Sequence, residues 1–117
     1  MSRLFRIRAA GIGAALILAV GGSLASADER QDVERGRELY REKCAMCHAA
    51  GGMGTGLLSR RYPKGQELLE NRTDLDPAFI ATAVRGGIGN MPRIARGEVS
   101  DAELALISKY LTRRERN

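Results

Sequence analysis

Three residues whose side chains could hold a prosthetic group stand together in the segment Cys44-Ala45-Met46-Cys47-His48. They are both cysteines and the only histidine of the 117-residue chain. Cys-x-x-Cys-His is the attachment signature of a c-type haem, in which two thiols add to the porphyrin vinyl groups and the adjacent imidazole binds the iron. The pattern therefore predicts one covalent haem c held by Cys44, Cys47 and His48.

Other uses of the same residues fit the sequence less well. A structural zinc ion takes four ligands from cysteine, histidine or carboxylates, so this chain would need carboxylates or a second copy to complete the set. A thioredoxin-like dithiol expects a βαβ context around Cys-x-x-Cys, whereas the flanking residues here have a helical and glycine-rich pattern. A disulfide between Cys44 and Cys47 is an alternative in an oxidising compartment, but it gives no role to His48.

A second iron ligand can be sought among the methionines, lysines and tyrosines. Met46 lies inside the attachment segment, and Met53 follows His48 so closely that it stays on the same side of the iron. Met91 lies 43 positions after His48 in a loop with glycine and proline, which is enough chain to reach the opposite face. We expect Met91 to be the ligand, and His/Met ligation raises the potential. If Met91 is only a core residue, the iron has an open position.

The N-terminal 27 residues have the pattern of a secretory signal. A start with three arginines is followed by an apolar run and by the small residues Ala25-Ser26-Ala27, the order expected of a cleaved leader. We predict cleavage after Ala27, so that 1–27 is a signal peptide and 28–117 a single domain in a bacterial periplasm. The alternative is an uncleaved membrane anchor, although the run is short and interrupted by glycines for a span of about 20 residues.

The net charge gives little support for a nucleic-acid partner. It is +5 for the whole chain, but residues 1–27 hold three arginines and no acidic residue, so the predicted mature chain has only +2. No basic stripe with interleaved aromatic residues is present. We therefore predict no nucleic-acid partner, and membrane contact only if the signal is retained.

The predicted domain is also poor in large apolar side chains. Aromatic residues make up 4% of the chain and tryptophan is absent, and a domain of this size is marginal in core area. Bound haem would supply apolar bulk, so we expect the haem-free mature chain to be largely unfolded.

The apolar spacing predicts an all-α domain with long loops. We expect helices over 33–43, over a short part of 64–71, from Asp76 to the Gly86-Gly87 pair, and over 101–113, with a glycine-rich loop over 49–56. Asp32 or Asp28 is the candidate cap of the first helix. The third begins with Asp as N-cap and Pro at the first position, and its apolar face is predicted to hold Phe79, Ile80, Ala83 and Val84. The last begins with a Ser-x-x-Glu capping box. Gly36 lies inside the first helix, where glycine costs about 1 kcal/mol relative to alanine, so we expect another backbone to come close to it.

Taken together, these motifs resemble a class I cytochrome c along the whole predicted mature chain. The resemblance is carried by Gly36-x-x-x-Tyr40, Cys44-x-x-Cys47-His48, Gly54-Thr55-Gly56-Leu57, Gly89-Asn90-Met91-Pro92 and Ile107-x-x-Tyr110-Leu111. It implies a cytochrome c fold, with crossed N- and C-terminal helices and one or two short helices packed around one haem. The family commonly has proline where Thr55 stands, and its carbonyl accepts the other imidazole N–H. The resemblance therefore implies that Thr55 belongs to the haem site.

Shorter matches are similar to the cytochrome subunits of bacterial 4-alkylphenol hydroxylases of the p-cresol and eugenol type. They lie in the Gly54-Thr55 loop, at Arg60-Arg61, and over 71–75 and 84–87. This narrower resemblance implies electron donation from a flavoprotein dehydrogenase.

Two classes of function follow from these features. In the first, His48 and Met91 saturate the iron and the chain is an electron carrier, which takes electrons from a flavoprotein or other periplasmic dehydrogenase and passes them to an oxidase or another carrier. The second is a haem enzyme or small-ligand sensor with a displaceable sixth ligand, and the lack of a second histidine argues against a peroxidase. We expect docking at a small, apolar haem edge, with an acidic partner steered by arginines, namely Arg60, Arg61, Arg93 and Arg96.

Overall fold

The computed structural model describes residues 21–113, with side chains described from residue 26. Its elements, in chain order, are five α-helices with one 3-10 turn between the third and the fourth: α1 (Gly21–Lys43), α2 (Ala45–His48), α3 (Met53–Leu58), the turn (Leu69–Asn71), α4 (Pro77–Gly86) and α5 (Asp101–Thr112). No strand occurs within 21–113, so the predicted all-α class is confirmed. None of these helices combines the length and the apolar character needed to cross a membrane.

Helix α1 is longer than the sequence pattern predicted. It begins at Gly21 instead of Val33, so Asp32 does not cap its start as expected. The residues between 25 and 32 are mostly alanine, glutamate, arginine and glutamine, which favour a helix, and none is proline. Asp32 instead forms an ion pair with Lys109 of α5. The predicted cleavage point after Ala27 falls within this helix and remains a prediction, while residues 1–20 of the predicted signal lie outside the described residues.

Helices α1 and α5 cross with their backbones in direct contact at Gly36. A Cβ atom at this position would lie 2.1 Å from the carbonyl oxygen of Leu106 and 3.0 Å from Cβ of Tyr110. The expectation that another backbone approaches Gly36 is therefore confirmed. One turn further along α1, the rings of Tyr40 and Tyr110 pack with centroids 5.6 Å apart and planes tilted by 45°, an arrangement that aromatic pairs favour.

The core lies around this crossing and extends to α4. It contains buried apolar side chains from both terminal helices, from α4 and from the segment that precedes α5: Leu39, Tyr40, Ile80, Val99, Leu104, Ile107, Tyr110 and Leu111. Phe79 was predicted on the same apolar face of α4, but 44% of its surface is exposed. Successive residues of an α-helix are rotated by about 100° around its axis, so Ile80 faces the core while Phe79 does not.

The ends of α4 and α5 follow their sequence signals. The Asp76 carboxylate accepts a hydrogen bond from the backbone N–H of Phe79 at 2.9 Å, and Gly87 ends α4 with a φ of 75°. Ser100 and Glu103 form both hydrogen bonds of the predicted capping box. These caps satisfy backbone groups that a helix end leaves without partners, and α5 ends at Thr112, one residue before the expected end.

The segment between α3 and α4 is held mainly by side chains. The predicted helix within 64–71 is only the 3-10 turn. Arg72 is buried, lies 4.2 Å above the centre of the Tyr62 ring, and donates two hydrogen bonds to the Asp74 carboxylate at 2.9 and 2.6 Å. This burial was not predicted, since an isolated arginine is usually exposed.

Candidate haem-binding site

The two cysteines and the histidine are brought together by one short helical turn. Cys44 precedes α2, and its carbonyl oxygen accepts hydrogen bonds from the backbone N–H groups of Cys47 at 3.1 Å and His48 at 3.0 Å. Both thiols are free and half-buried. The turn therefore presents two sulfur atoms and an imidazole within five residues, as covalent attachment and axial ligation require.

Tyr40 fixes this turn to the helix crossing. Its hydroxyl donates to the backbone carbonyl of His48 at 3.3 Å, and its own carbonyl accepts from the N–H of Cys44 at 2.9 Å. The sequence analysis placed Tyr40 only in the packing of the terminal helices. Its position two turns before His48 on a helix that continues into the motif is the signal that could have revealed the second role.

Two glycines let α3 pack closely against the attachment turn. A Cβ atom at Gly52 would lie 2.5 Å from the carbonyl oxygen of Cys47, and one at Gly54 would lie 2.8 Å from the same oxygen and 3.2 Å from Cε1 of His48. The predicted loop over 49–56 is thus partly wrong, because its second half is the first part of α3. The glycines are present because the backbone of α3 must lie beside Cys47 and His48.

Burial sets the protonation state of the attachment residues. Burial lowers the pKa of His48 below its ordinary value, which favours the neutral imidazole with a lone pair available for a metal. Burial also raises the pKa of the Cys44 thiol to about 11, and the nearby Cys47 contributes in the same direction. In the folded chain at neutral pH, His48 is therefore poised as a neutral ligand and Cys44 is a protonated thiol.

Thr55 is buried in α3 next to this turn, with 6% of its surface exposed. Its carbonyl accepts the backbone N–H of Ser59 at 2.9 Å, which is an ordinary hydrogen bond of the helix end. At this site, Oγ1 of Thr55 and Nδ1 of His48 are both buried without a hydrogen-bond partner. The side-chain hydroxyl of Thr55 is thus as strong a candidate partner for the imidazole as the carbonyl that the resemblance implied.

Met91 lies in the loop that follows α4, apart from the attachment turn. The loop reverses tightly, because Ile88 and Met91 exchange backbone hydrogen bonds of 3.1 and 2.9 Å and Gly89 has a φ of 56°. Met91 is half-buried. A Cβ atom at Gly87 would lie only 2.9 Å from the Met91 carbonyl oxygen, so the end of α4 fixes the position of this loop.

The other methionines of the described chain are largely exposed. Met46 has 88% of its surface exposed and Met53 has 70%, and Ile88 of the Met91 loop has 54%. These side chains are the largest exposed apolar groups near the sequence motifs. Most isolated exposed apolar residues need no explanation, but Met46 and Met53 both lie on the short helices that carry or pack against the attachment residues.

The residues present fit a covalent haem. Two free thiols on one turn could each add across a vinyl group, with a new S–C bond at one carbon and the thiol proton transferred to the neighbouring carbon. His48 supplies a neutral imidazole whose Nδ1 is buried without a partner, as expected when the remaining ring nitrogen is reserved for a metal ligand's supporting hydrogen bond. Within the described residues, no cluster of three or more histidine, cysteine or acidic side chains could hold a different metal ion.

Comparison with known proteins agrees with this chemistry. The chain belongs to the family described as cytochrome C oxidase, cbb3-type, subunit III, whose family profile matches residues 31–111. It is therefore a cytochrome c domain and an electron-transfer protein rather than an enzyme. Membership of this family implies covalently bound haem c, and Cys44 and Cys47 are consistent with its attachment motif.

The chain is also similar to subunits of respiratory complexes. It is 34% identical over 98 residues to the cytochrome bc1 complex cytochrome c subunit of Mycobacterium tuberculosis (strain ATCC 25618 / H37Rv), a match that covers 80% of this chain and 32% of the relative. The corresponding subunit of Mycobacterium leprae (strain TN) is 36% identical over 98 residues, with 80% and 31% covered. The chain thus spans about a third of the length of these curated relatives. No solved structure matches it.

Proposed function

We propose that this chain is a periplasmic carrier of single electrons between protein partners, with haem iron held by His48 and Met91. The observation that carries the proposal is the partly buried imidazole of His48 on the same turn as two free cysteines. Export by the N-terminal signal is part of the proposal, since the thioether attachment of bacterial cytochromes c takes place outside the cytoplasm. Mass measurement of the mature protein would identify cleavage after Ala27.

The chain's own residues then have distinct tasks. A bound haem supplies an iron that cycles between two oxidation states, so that the donor loses one electron and the acceptor gains one. Cys44 and Cys47 hold the group covalently, and Tyr40 and the glycines of α3 fix the orientation of the turn that carries His48. Met91, held by the tight reversal at Ile88 and the end of α4, would hold the iron together with His48 and so exclude small ligands.

The electron donor has two candidate classes. The narrower resemblance favours a flavoprotein or quinoprotein dehydrogenase, such as a 4-alkylphenol hydroxylase, and the comparisons give this link no support. The relatives described above belong to cytochrome bc1 complexes, which favours a respiratory complex as a second candidate. Co-purification of the tagged chain from its native membrane and soluble fractions separates the two candidates, because each predicts a different flavin- or haem-containing partner.

A carbon monoxide test separates the carrier from a haem enzyme or sensor. We expect the reduced holoprotein to show no change in its Soret band within minutes of carbon monoxide addition at neutral pH, because Met91 occupies the sixth position. The Met91→Ala variant serves as the positive control and should bind the gas at once. Rapid binding by the unaltered protein would favour the alternative with a displaceable ligand.

A substitution at Thr55 distinguishes its two possible hydrogen-bonding groups. Thr55→Val removes the hydroxyl and keeps the carbonyl and the shape of the side chain, whereas Thr55→Ser keeps both groups. If the hydroxyl accepts the His48 N–H, its loss makes the imidazole a weaker electron donor and raises the reduction potential. A hydrogen bond contributes about 0.5–1.5 kcal/mol, so we expect a rise of at most about 60 mV for this one-electron couple.

The potential is read by spectroelectrochemical titration of both variants. Thr55→Ser should keep the parent value, because the hydroxyl is retained. An unchanged potential in Thr55→Val would assign the contact to the carbonyl, as the family resemblance implied.

A further inference from the structure

A pocket of about 390 Å³ lies on the surface beside the Met91 loop and is not part of the attachment turn. It is lined by residues of α4 and of the segment that precedes α5, namely Arg85, Arg93, Ile94, Ala95 and Arg96. Three of these five residues carry guanidinium groups. Such a concentration of positive charge around a concave surface favours an anionic binding partner.

The charges of the pocket are not balanced within the described residues. Asp101 is shared by Arg85 and Arg96, with N–O distances of 2.8 Å to each, and these two arginines hold the pKa of its carboxyl below the ordinary value. The nearby Glu98 carboxylate accepts the backbone N–H of Ala95 at 2.9 Å. Arg93 donates only to the Arg85 carbonyl oxygen, at 3.3 Å, so it has no carboxylate partner between Gly21 and Arg113.

Arg85 gives the pocket a fixed wall. It donates to the carbonyl oxygens of Ile94 at 3.0 Å and Val99 at 2.9 Å, in addition to Asp101. Only 19% of its side chain is exposed, and its Nε is buried without a hydrogen-bond partner. A cationic site held in place by the fold loses little conformational entropy when an anion binds, which favours binding.

The pocket is continuous with the loop that carries Met91. The N–H of Ile94 donates to the Val84 carbonyl oxygen at 2.8 Å, and a Cβ atom at Gly87 would lie 3.2 Å from the backbone nitrogen of Arg93. Ile88, which is 54% exposed, is on the same loop. Exposed apolar surface next to charged groups is the arrangement found at protein interfaces.

We propose that this pocket is a docking site for an acidic side chain, glutamate or aspartate, on the surface of a protein redox partner. This inference rests on the proposed function, since it assigns the partner of an electron carrier to the side of the molecule that carries Met91. It also separates the four arginines singled out from the sequence. Arg93 and Arg96 line a built pocket, whereas Arg60 and Arg61 are exposed residues outside it.

The test uses the full holoprotein and the hydroquinone form of a flavodoxin chosen for its net negative charge, as the acidic protein probe. Stopped-flow reduction is followed at the Soret band for the parent, Arg93→Glu, Arg93→Lys and Arg61→Glu proteins. Arg61→Glu is the matched control, because it makes the same change in net charge outside the pocket. At low ionic strength we expect Arg93→Glu to lower the second-order rate constant by about fivefold or more, and Arg61→Glu by less than about twofold. Arg93→Lys should remain near the parent value.

High salt should remove the difference between the two glutamate variants, since electrostatic attraction at the surface is screened. Equal slowing by Arg93→Glu and Arg61→Glu would overturn the proposed docking site, because the rate constant would then depend only on the net charge of the protein. Reduction by dithionite, which needs no protein docking, should proceed at similar rates in every variant. A parent protein that dithionite cannot reduce would overturn the proposed function and the docking site with it.

Discussion

Replacing Met91 with alanine is expected to lower the reduction potential by about 0.1–0.3 V, within the range of about 0.8 V over which axial ligands tune haem proteins. A thioether sulfur stabilises the reduced iron and therefore raises the potential. The Met91 loop is fixed by its hydrogen bonds to Ile88 and by its contact with Gly87, so neighbouring residues should not replace the lost ligand easily. The potential is measured by spectroelectrochemical titration, together with the sulfur–iron absorption of the oxidised protein.

Met53→Ala is the matched control for this experiment. Met53 is 70% exposed and lies on α3, close in sequence to His48, so its loss should change neither the potential nor the sulfur–iron absorption. If Met91→Ala keeps both properties while Met53→Ala loses them, the assignment of the second ligand is wrong. If neither variant changes, the iron is held by a residue that is not methionine.

Replacing Gly36 with alanine is expected to destabilise the holoprotein by about 2 kcal/mol. The new Cβ atom would lie 2.1 Å from a backbone oxygen of α5, and overpacking in a tight core costs about 1–3 kcal/mol, occasionally more. Better helix propensity returns only about 0.5–1 kcal/mol. Because a backbone atom cannot move aside like the end of a flexible side chain, α1 and α5 must separate. For a domain of this size, the melting temperature should fall by about 10 °C or more.

Gly56→Ala tests the same substitution where space is open. No atom lies within 4 Å of a Cβ at Gly56, and its φ does not lie in the left-handed region. We expect this variant to match or slightly exceed the stability of the parent, with both proteins followed by circular dichroism and the Soret band. A Gly36→Ala protein as stable as Gly56→Ala would show that the crossing tolerates a larger separation than the structure gives.

The parts of the fold that the sequence predicted are those governed by local rules. Asp76, Pro77 and the Ser100–Glu103 box mark helix ends through hydrogen bonds to residues within one turn, and such contacts depend little on the rest of the chain. Gly36 was predictable for a different reason. A glycine inside a helix lowers the stability of the helix relative to alanine, and close packing against another backbone is the reason to expect glycine there.

The wrong predictions have two causes. Some depend on contacts between segments that are distant in sequence, and others concern a residue type that can have more than one structural role. Gly52 and Gly54 were interpreted as loop residues, but α3 needs them to approach Cys47 and His48. Asp32 was expected to cap a helix and instead pairs with Lys109 of α5. Arg72 became buried through a ring contact and an ion pair within the loop before α4, and no local pattern announces such an arrangement.

The haem-binding site shows the same difference between residues that are close in sequence and residues that only the fold brings together. The attachment residues lie within five positions of one another, so their type and spacing alone lead to the prediction, and the structure places all three on one turn. The supporting residues are not adjacent. The Tyr40 hydroxyl, the Thr55 hydroxyl and the Arg85 hydrogen bonds could be identified only when three-dimensional neighbours were known.

The crossing at Gly36 and Leu106 also bears on the order of events during biogenesis. These two positions are 70 residues apart, and closing a long loop has an entropic cost that only the packed core offsets. The attachment turn precedes α5 by about 50 residues, so its thiols emerge from synthesis well before α5 is available. The sulfur chemistry can therefore take place on an open chain, and arrival of the last helix then closes the domain around the finished turn.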